Sequence, residues 1–111
     1  MSMDDDIHRF DIGQEVQREI RRSIEKHGDT DKGIPNGTSD GVFAVHRRDR
    51  AIHATDSANA AGVLTWLHIL NEEVQEAFAE TDDAKLRVEL VQVAAMAQKW
   101  IAAIDARKEA S

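Results

Sequence analysis

The sequence predicts an all-α fold, and two observations support this prediction. First, the second half of the 111-residue chain consists mainly of strong helix formers, chiefly Ala, Glu, Gln, Lys, Arg and Leu. Second, apolar residues recur at helical spacing along much of the chain, which contains one proline and no tyrosine. A chain of this length forms about one domain with a small core, so association with further copies is a plausible source of extra burial.

The N-terminal part of the chain predicts a leader followed by one helix. Residues 1–11 are polar and are expected to form a flexible leader. From there, apolar residues follow at intervals of four: Ile12, Val16, Ile20 and Ile24. Gly28 is a suitable C-terminal stop, so this helix is expected to end near His27.

A glycine-rich loop separates this helix from the next predicted helix. Residues 28–41 contain four of the six glycines and the only proline, which is typical of a loop. Because a loop of this length without structure of its own is uncommon, it is either a functional loop that closes over a ligand or a mobile connector. Residues 42–61 lack a clean apolar stripe, so they are predicted as a helix broken near Thr55–Ser57.

The C-terminal half predicts two amphipathic helices, over residues 64–81 and 84–108, each with its apolar residues on one face. Asp82 and Asp83 suit the N-cap and first turn of the second helix. The short link makes the two helices antiparallel neighbours. We therefore expect an antiparallel helical hairpin over 63–108, within a single domain over 12–108, that homo-oligomerisation completes into a bundle. A dimer is the first expectation and a tetramer the second.

Composition excludes several classes of protein and site. The chain has no cysteine, which excludes disulfides, zinc–thiolate sites and thiol nucleophiles. A net charge of -7 argues against a protein that binds duplex nucleic acid. No apolar run is long enough to span a membrane, and the acidic N-terminus does not resemble a signal peptide. The sequence therefore predicts a cytoplasmic protein.

Acidic side chains follow one face of each helix of the predicted hairpin. Glu73 and Glu76 are spaced i, i+3 on the first helix, as are Glu89 and Gln92 on the second. Glu76 and Glu89 lie about five and about six residues from the bend, so they are expected at matching heights. Crowded carboxylates repel unless a cation neutralises them, and oxygen ligands suit Mg²⁺ or Mn²⁺. From spacing alone, a solvated face of glutamates is the better-supported interpretation.

The same residues resemble a family signature. Glu73-x-x-Glu76, twelve residues and Glu89-x-x-Gln92 resemble the ExxE…ExxD pattern of MazG-like all-α nucleoside triphosphate pyrophosphohydrolases. The segments LTWLHILNEEVQEAFAE and LRVELVQVAAMAQKWIAAID resemble an actinobacterial and phage subgroup of that family. The resemblance covers about residues 62–107. It implies hydrolysis of nucleoside triphosphates to monophosphates and pyrophosphate, with Mg²⁺ at the four signature positions.

Gln92 departs from the family pattern, which has Asp at that position. A neutral amide oxygen is a weaker ligand, so the chain is either a weaker metal binder or a non-catalytic helical protein that binds a nucleotide or a partner. Glu72 is the candidate general base. Lys99, Arg47 and Arg48 are candidate phosphate contacts, although such residues are more often solvated or paired with acidic neighbours. A third hypothesis is a small regulator whose acidic surface mimics a nucleic acid.

Overall fold

The computed structural model describes residues 2–28 and 33–110. These residues form four helices: α1 Met3–His27, α2 Val42–Ala60, α3 Trp66–Phe78 and α4 Asp83–Ala110. The prediction of an all-α fold is confirmed. Within the described part of the chain, no helix combines the length and the hydropathy needed to cross a bilayer.

Helix α1 begins at Met3, so the predicted helix start at Ile12 is wrong: residues 3–11 are helical. Ser2 caps the helix, because its hydroxyl accepts a hydrogen bond from the Asp5 amide at 3.1 Å. The acidic run Asp4–Asp6 forms the first turn, where negative charge stabilises a helix dipole. Gly28 ends the helix with a φ of 79°, as predicted.

Helix α2 is continuous, so the predicted break near Thr55–Ser57 is wrong. The Thr55 hydroxyl donates to the Ala51 carbonyl in its own helix (3.0 Å) and reaches the His68 carbonyl on α3 (3.1 Å). The side chain is thus satisfied without interrupting the helix. The buried face of α2 consists of alanines seven residues apart: Ala44, Ala51 and Ala58. Since alanine is small and only weakly hydrophobic, this face produces no stripe in the sequence.

Helices α3 and α4 form the predicted hairpin. Helix α3 ends at Phe78, before the predicted limit at Thr81. The Asp82 carboxylate accepts a hydrogen bond from the Lys85 amide at 3.0 Å, which caps the start of α4 as predicted. The tight turn places the two helices side by side, and their facing glutamates come into proximity.

The chain divides into two compact units, which we call the terminal unit (Met1–Pro35 and Gln98–Ser111) and the central unit (Asn36–Ala97). In the terminal unit, Ile12 is fully buried, whereas Ile20 and Ile24 are 46% and 45% exposed. In the central unit, α2 packs against α3, and the buried residues are Ala44, Ala51, Ala58, Ala77, Ala79 and Leu86. Helix α4 contributes residues to both units, and the single domain over 12–108 stays a prediction.

Candidate metal centre

The capped start of α3 determines which helix face the glutamates that follow it occupy. Thr65 and His68 form a capping box: the Thr65 hydroxyl accepts from the His68 amide (3.3 Å), and His68 Nδ1 accepts from the Thr65 amide (3.2 Å). From this fixed start, the i, i+3 spacing puts Glu73 and Glu76 on neighbouring turns of one helix face.

Three glutamates converge between α3 and α4. One carboxylate oxygen from each of Glu73, Glu76 and Glu89 lies within 4.8 Å of the other two, and all three residues are half-buried. We call these residues the glutamate triad. The predicted convergence of the two acidic lines is confirmed, and the role of the triad as metal ligands stays a prediction.

Gln92 contacts two members of the triad. The amide orientation that satisfies both ends of its side chain directs Nε2 at Glu73 Oε2 (2.9 Å) and at Glu89 Oε2 (3.2 Å), to which it donates. The partial positive charge of the amide group offsets part of the repulsion between these carboxylates. Rotation of the Gln92 amide group by about 180° exchanges the positions of Nε2 and Oε1, so the same side chain can offer a carbonyl oxygen to a cation.

Crowding in the triad raises carboxyl pKa values. Partial burial, followed by the charges of Glu73, Glu89 and Glu72, raises the pKa of Glu76 to about 7, and a hydrogen bond with Glu89 adds to this effect. Burial and then Glu89 also raise the pKa of Glu73. Near neutral pH, Glu76 of the metal-free triad is therefore protonated in part of the molecules.

The donor set of the triad fits a hard divalent cation. Three carboxylates within reach of one ion supply the charge and the oxygen atoms that Mg²⁺ or Mn²⁺ requires. After burial, the like charges of the neighbouring glutamates contribute to the raised pKa of Glu76, and a bound cation would relieve this repulsion. Groups of acidic residues like this one also occur without a metal, so metal binding at the triad stays a prediction.

Glu72, the predicted general base, is not one of the three converging carboxylates. Burial, then Glu73 and then Asp56 on α2 raise its pKa. A carboxylate with a raised pKa is better matched to accepting a proton near neutral pH. The contribution of Asp56 was not foreseen, because the sequence does not show which face of α2 packs against α3.

The three predicted phosphate contacts have different surroundings. Arg48 is engaged by its neighbour, since its Nε and Nη2 lie 3.0 Å and 2.9 Å from Asp49 Oδ1. Arg47 is exposed and has no hydrogen bond or ion pair among the described residues. Lys99 lies in the terminal unit and already has an interaction of its own. Of the three predicted contacts, Arg47 thus has a guanidinium available to a ligand.

The second half of the glycine-rich loop is anchored to the hairpin. Asn36 Nδ2 donates to Asp83 Oδ1 (2.7 Å), and the Ser39 amide donates to the Phe78 carbonyl (3.1 Å). Residues 29–32 of that loop lie outside the described residues. The anchored segment forms one side of a pocket of about 350 Å³ with Phe78 and Leu90. No local sequence pattern predicts this pocket, because it depends on contacts between residues distant in the chain.

The chain was compared with protein-family models, with curated proteins and with solved structures, and none of the three comparisons gave a match.

Proposed function

We propose that this protein is a Mg²⁺-dependent nucleotide pyrophosphohydrolase, which hydrolyses nucleoside triphosphates or their deoxy forms to monophosphates and pyrophosphate. The observation that carries the proposal is the convergence of Glu73, Glu76 and Glu89 on one helical hairpin. The resemblance of the α3 and α4 sequences to MazG-like enzymes supports the same function. A cytoplasmic location and a nucleoside triphosphate as ligand belong to this proposal.

The residues of the central unit have distinct tasks in this reaction. The triad would hold Mg²⁺, or Mn²⁺ in its place, and Gln92 would add its carbonyl oxygen as a weak fourth ligand. When bound, the cation supplies charge neutralisation at the phosphate oxygens. Glu72 would accept the proton of the water that attacks phosphorus, for which its raised pKa is suited. Arg47 would neutralise phosphate charge from α2.

Turnover tests the proposal directly. We expect the protein with Mg²⁺ to release pyrophosphate and a monophosphate from at least one member of a panel of ribo- and deoxyribonucleoside triphosphates. Removal of the metal with EDTA should stop this release. Glu89→Gln should lower the rate at least about 100-fold, because loss of a group that only supports a metal ligand already costs about 10- to 100-fold. Glu25→Gln, which changes an exposed glutamate on α1, is the matched control. Absence of release from every nucleotide would contradict the catalytic proposal.

A second candidate function is a non-catalytic nucleotide-binding or interaction protein, and the Gln92 contacts favour it. Because the Gln92 amide donates to two carboxylates, the cluster is partly satisfied without a cation. Gln92→Asp tests whether position 92 contributes to a metal site. If the site binds Mg²⁺, a fourth carboxylate should tighten Mg²⁺ binding about tenfold, measured by isothermal titration calorimetry. Gln92→Leu, which has no donor or acceptor, should weaken it. Equal affinities in all three proteins would contradict a metal role for this position.

We also propose that the protein forms a homodimer or a homotetramer. Large apolar side chains are exposed in both units, among them Phe10, Ile20, Ile24, Phe43 and Leu67. Exposed apolar residues in this number are typical of protein interfaces. We expect light scattering after size-exclusion chromatography to give two or four times 12.4 kDa. Phe43→Ser or Leu67→Ser should shift the mass towards one chain. A monomer of the unsubstituted protein at high concentration would contradict this proposal.

A further inference from the structure

The pocket beside the α3–α4 turn belongs entirely to the central unit. Its volume is about 350 Å³, within the range of pockets that bind small molecules. Ala44, Ala77 and Leu86 line it and are buried, which provides a rigid apolar floor. Phe78 and Leu90 also line it but are 52% and 50% exposed. An aromatic and an aliphatic side chain therefore offer apolar surface that the chain itself does not cover.

One side of the pocket is polar and held in place. Residues 36–39 line it, and two hydrogen bonds tie them to the hairpin, from Asn36 to Asp83 and from Ser39 to Phe78. The second of these bonds joins the loop to the residue whose side chain lines the pocket. The polar side is thus part of the folded central unit, and this makes the pocket preformed.

Arg47 gives the pocket an anion-binding group. It lines the pocket and has no hydrogen bond or ion pair among the residues that the structure describes. The neighbouring Arg48 differs, because Asp49 occupies its guanidinium. A free guanidinium at the edge of an apolar pocket suits a ligand that joins a ring system to a phosphate.

The pocket and the glutamate triad lie at the same height of the hairpin. Ala77 directly follows Glu76 on α3, and Leu90 directly follows Glu89 on α4. Consecutive residues of a helix differ in height by about 1.5 Å. Both helices therefore turn one face to the triad and the next face to the pocket. This arrangement suits a ligand that carries its anionic part at one end and an apolar ring at the other.

We propose that this pocket binds the base and sugar of a nucleotide, with the base against Phe78 and Leu90 and with Arg47 at the phosphates. This assignment rests on the proposed function, because the same nucleotide would place its phosphates at the triad. It makes Phe78 and Leu90 determinants of affinity for the nucleoside part. It also gives the anchored loop, residues 36–39, a role in substrate recognition.

Two probes distinguish binding of the nucleoside part from binding of the phosphates. They are a non-hydrolysable nucleoside triphosphate and inorganic tripolyphosphate, each titrated with Mg²⁺ present. Phe78→Ala should weaken nucleotide binding about tenfold, because it removes an aromatic contact with the base, and leave tripolyphosphate binding unchanged. Leu90→Ser should act in the same direction. Both side chains are about half-exposed, so both variants are expected to fold, which circular dichroism checks. Val63→Ala is the control, since Val63 is exposed outside the pocket.

Arg47→Met should weaken the binding of both probes, whereas Arg87→Met, an exposed arginine of α4, should change neither. Unchanged nucleotide affinity in Phe78→Ala and Leu90→Ser would overturn the pocket assignment, and the triad would still stand if Mg²⁺ and tripolyphosphate bind. Equal weakening of both probes by Phe78→Ala would overturn it as well, because the effect would not be specific to the nucleoside. Failure of Mg²⁺ and both probes to bind the unsubstituted protein would overturn the proposed function and this inference with it.

Discussion

Glu76→Gln is expected to abolish Mg²⁺ binding while making the metal-free protein more stable. Burial, followed by the charges of three neighbouring glutamates, raises the pKa of Glu76, so this residue takes part in the repulsion within the triad. The substitution keeps the size of the side chain but removes one of three charges that a divalent cation needs. We expect the affinity for Mg²⁺, measured by isothermal titration calorimetry, to fall at least about 100-fold.

The stability change in the same variant has the opposite sign. At pH 8 the Glu76 carboxylate of the metal-free protein is ionised among like charges, and glutamine removes this repulsion. We therefore expect a higher Tm for metal-free Glu76→Gln than for the unsubstituted protein. Added Mg²⁺ should raise the Tm of the unsubstituted protein and leave that of the variant unchanged. Glu25→Gln should change neither quantity. A lower Tm together with unchanged Mg²⁺ affinity would show that Glu76 has only a structural role.

The affinity for Mg²⁺ is expected to depend strongly on pH. The carboxyl group of Glu76 has a pKa of about 7 in the folded protein, and a protonated carboxyl is a poor ligand for Mg²⁺. Binding must therefore release this proton. Below pH 7 we expect the apparent affinity to fall about tenfold for each pH unit, and above about pH 8 to be constant. Calorimetry in two buffers of different ionisation enthalpy measures the released proton.

The same pKa predicts how the stability of the metal-free protein depends on pH. The pKa of Glu76 rises from 4.5, the value of a free glutamate, to about 7 on folding. Between these values the folded state binds more protons than the unfolded state, so the free energy of unfolding decreases as pH rises. The stabilisation is complete below about pH 4.5 and is lost as pH passes through 7. Saturating Mg²⁺ should reverse this trend. A Mg²⁺ affinity that does not vary between pH 6 and pH 8 would contradict both expectations.

The sequence predicted the triad because its geometry follows from local rules. Glu73 and Glu76 are one turn apart, and a short link sets their height relative to Glu89. Helix spacing and turn length therefore suffice to bring these residues together. The contacts of Gln92 with Glu73 and Glu89 follow from the same geometry, although the direction of its amide does not.

Three features could not be predicted from the sequence. They depend on a helix cap, on a helix face made of small residues and on contacts between distant segments. The acidic residues Asp4–Asp6 suggested a leader, but behind the Ser2 cap they form a favourable first helical turn. The buried alanine face of α2 has no large apolar residue that would reveal it. The pocket depends on the hydrogen bond from Ser39 to Phe78, which no local pattern encodes.

The central claim is that a divalent cation binds at the glutamate triad, and paramagnetic broadening by Mn²⁺ tests it most directly. The chain contains a second acidic group, Asp4–Asp6 at the start of α1, with which the triad must be compared. At substoichiometric Mn²⁺, we expect the backbone amide NMR signals around Glu73, Glu76 and Glu89 to broaden first, and Mg²⁺ to reverse the effect. Broadening that begins at Asp4–Asp6, or that follows exposed carboxylates throughout the chain, would contradict the account.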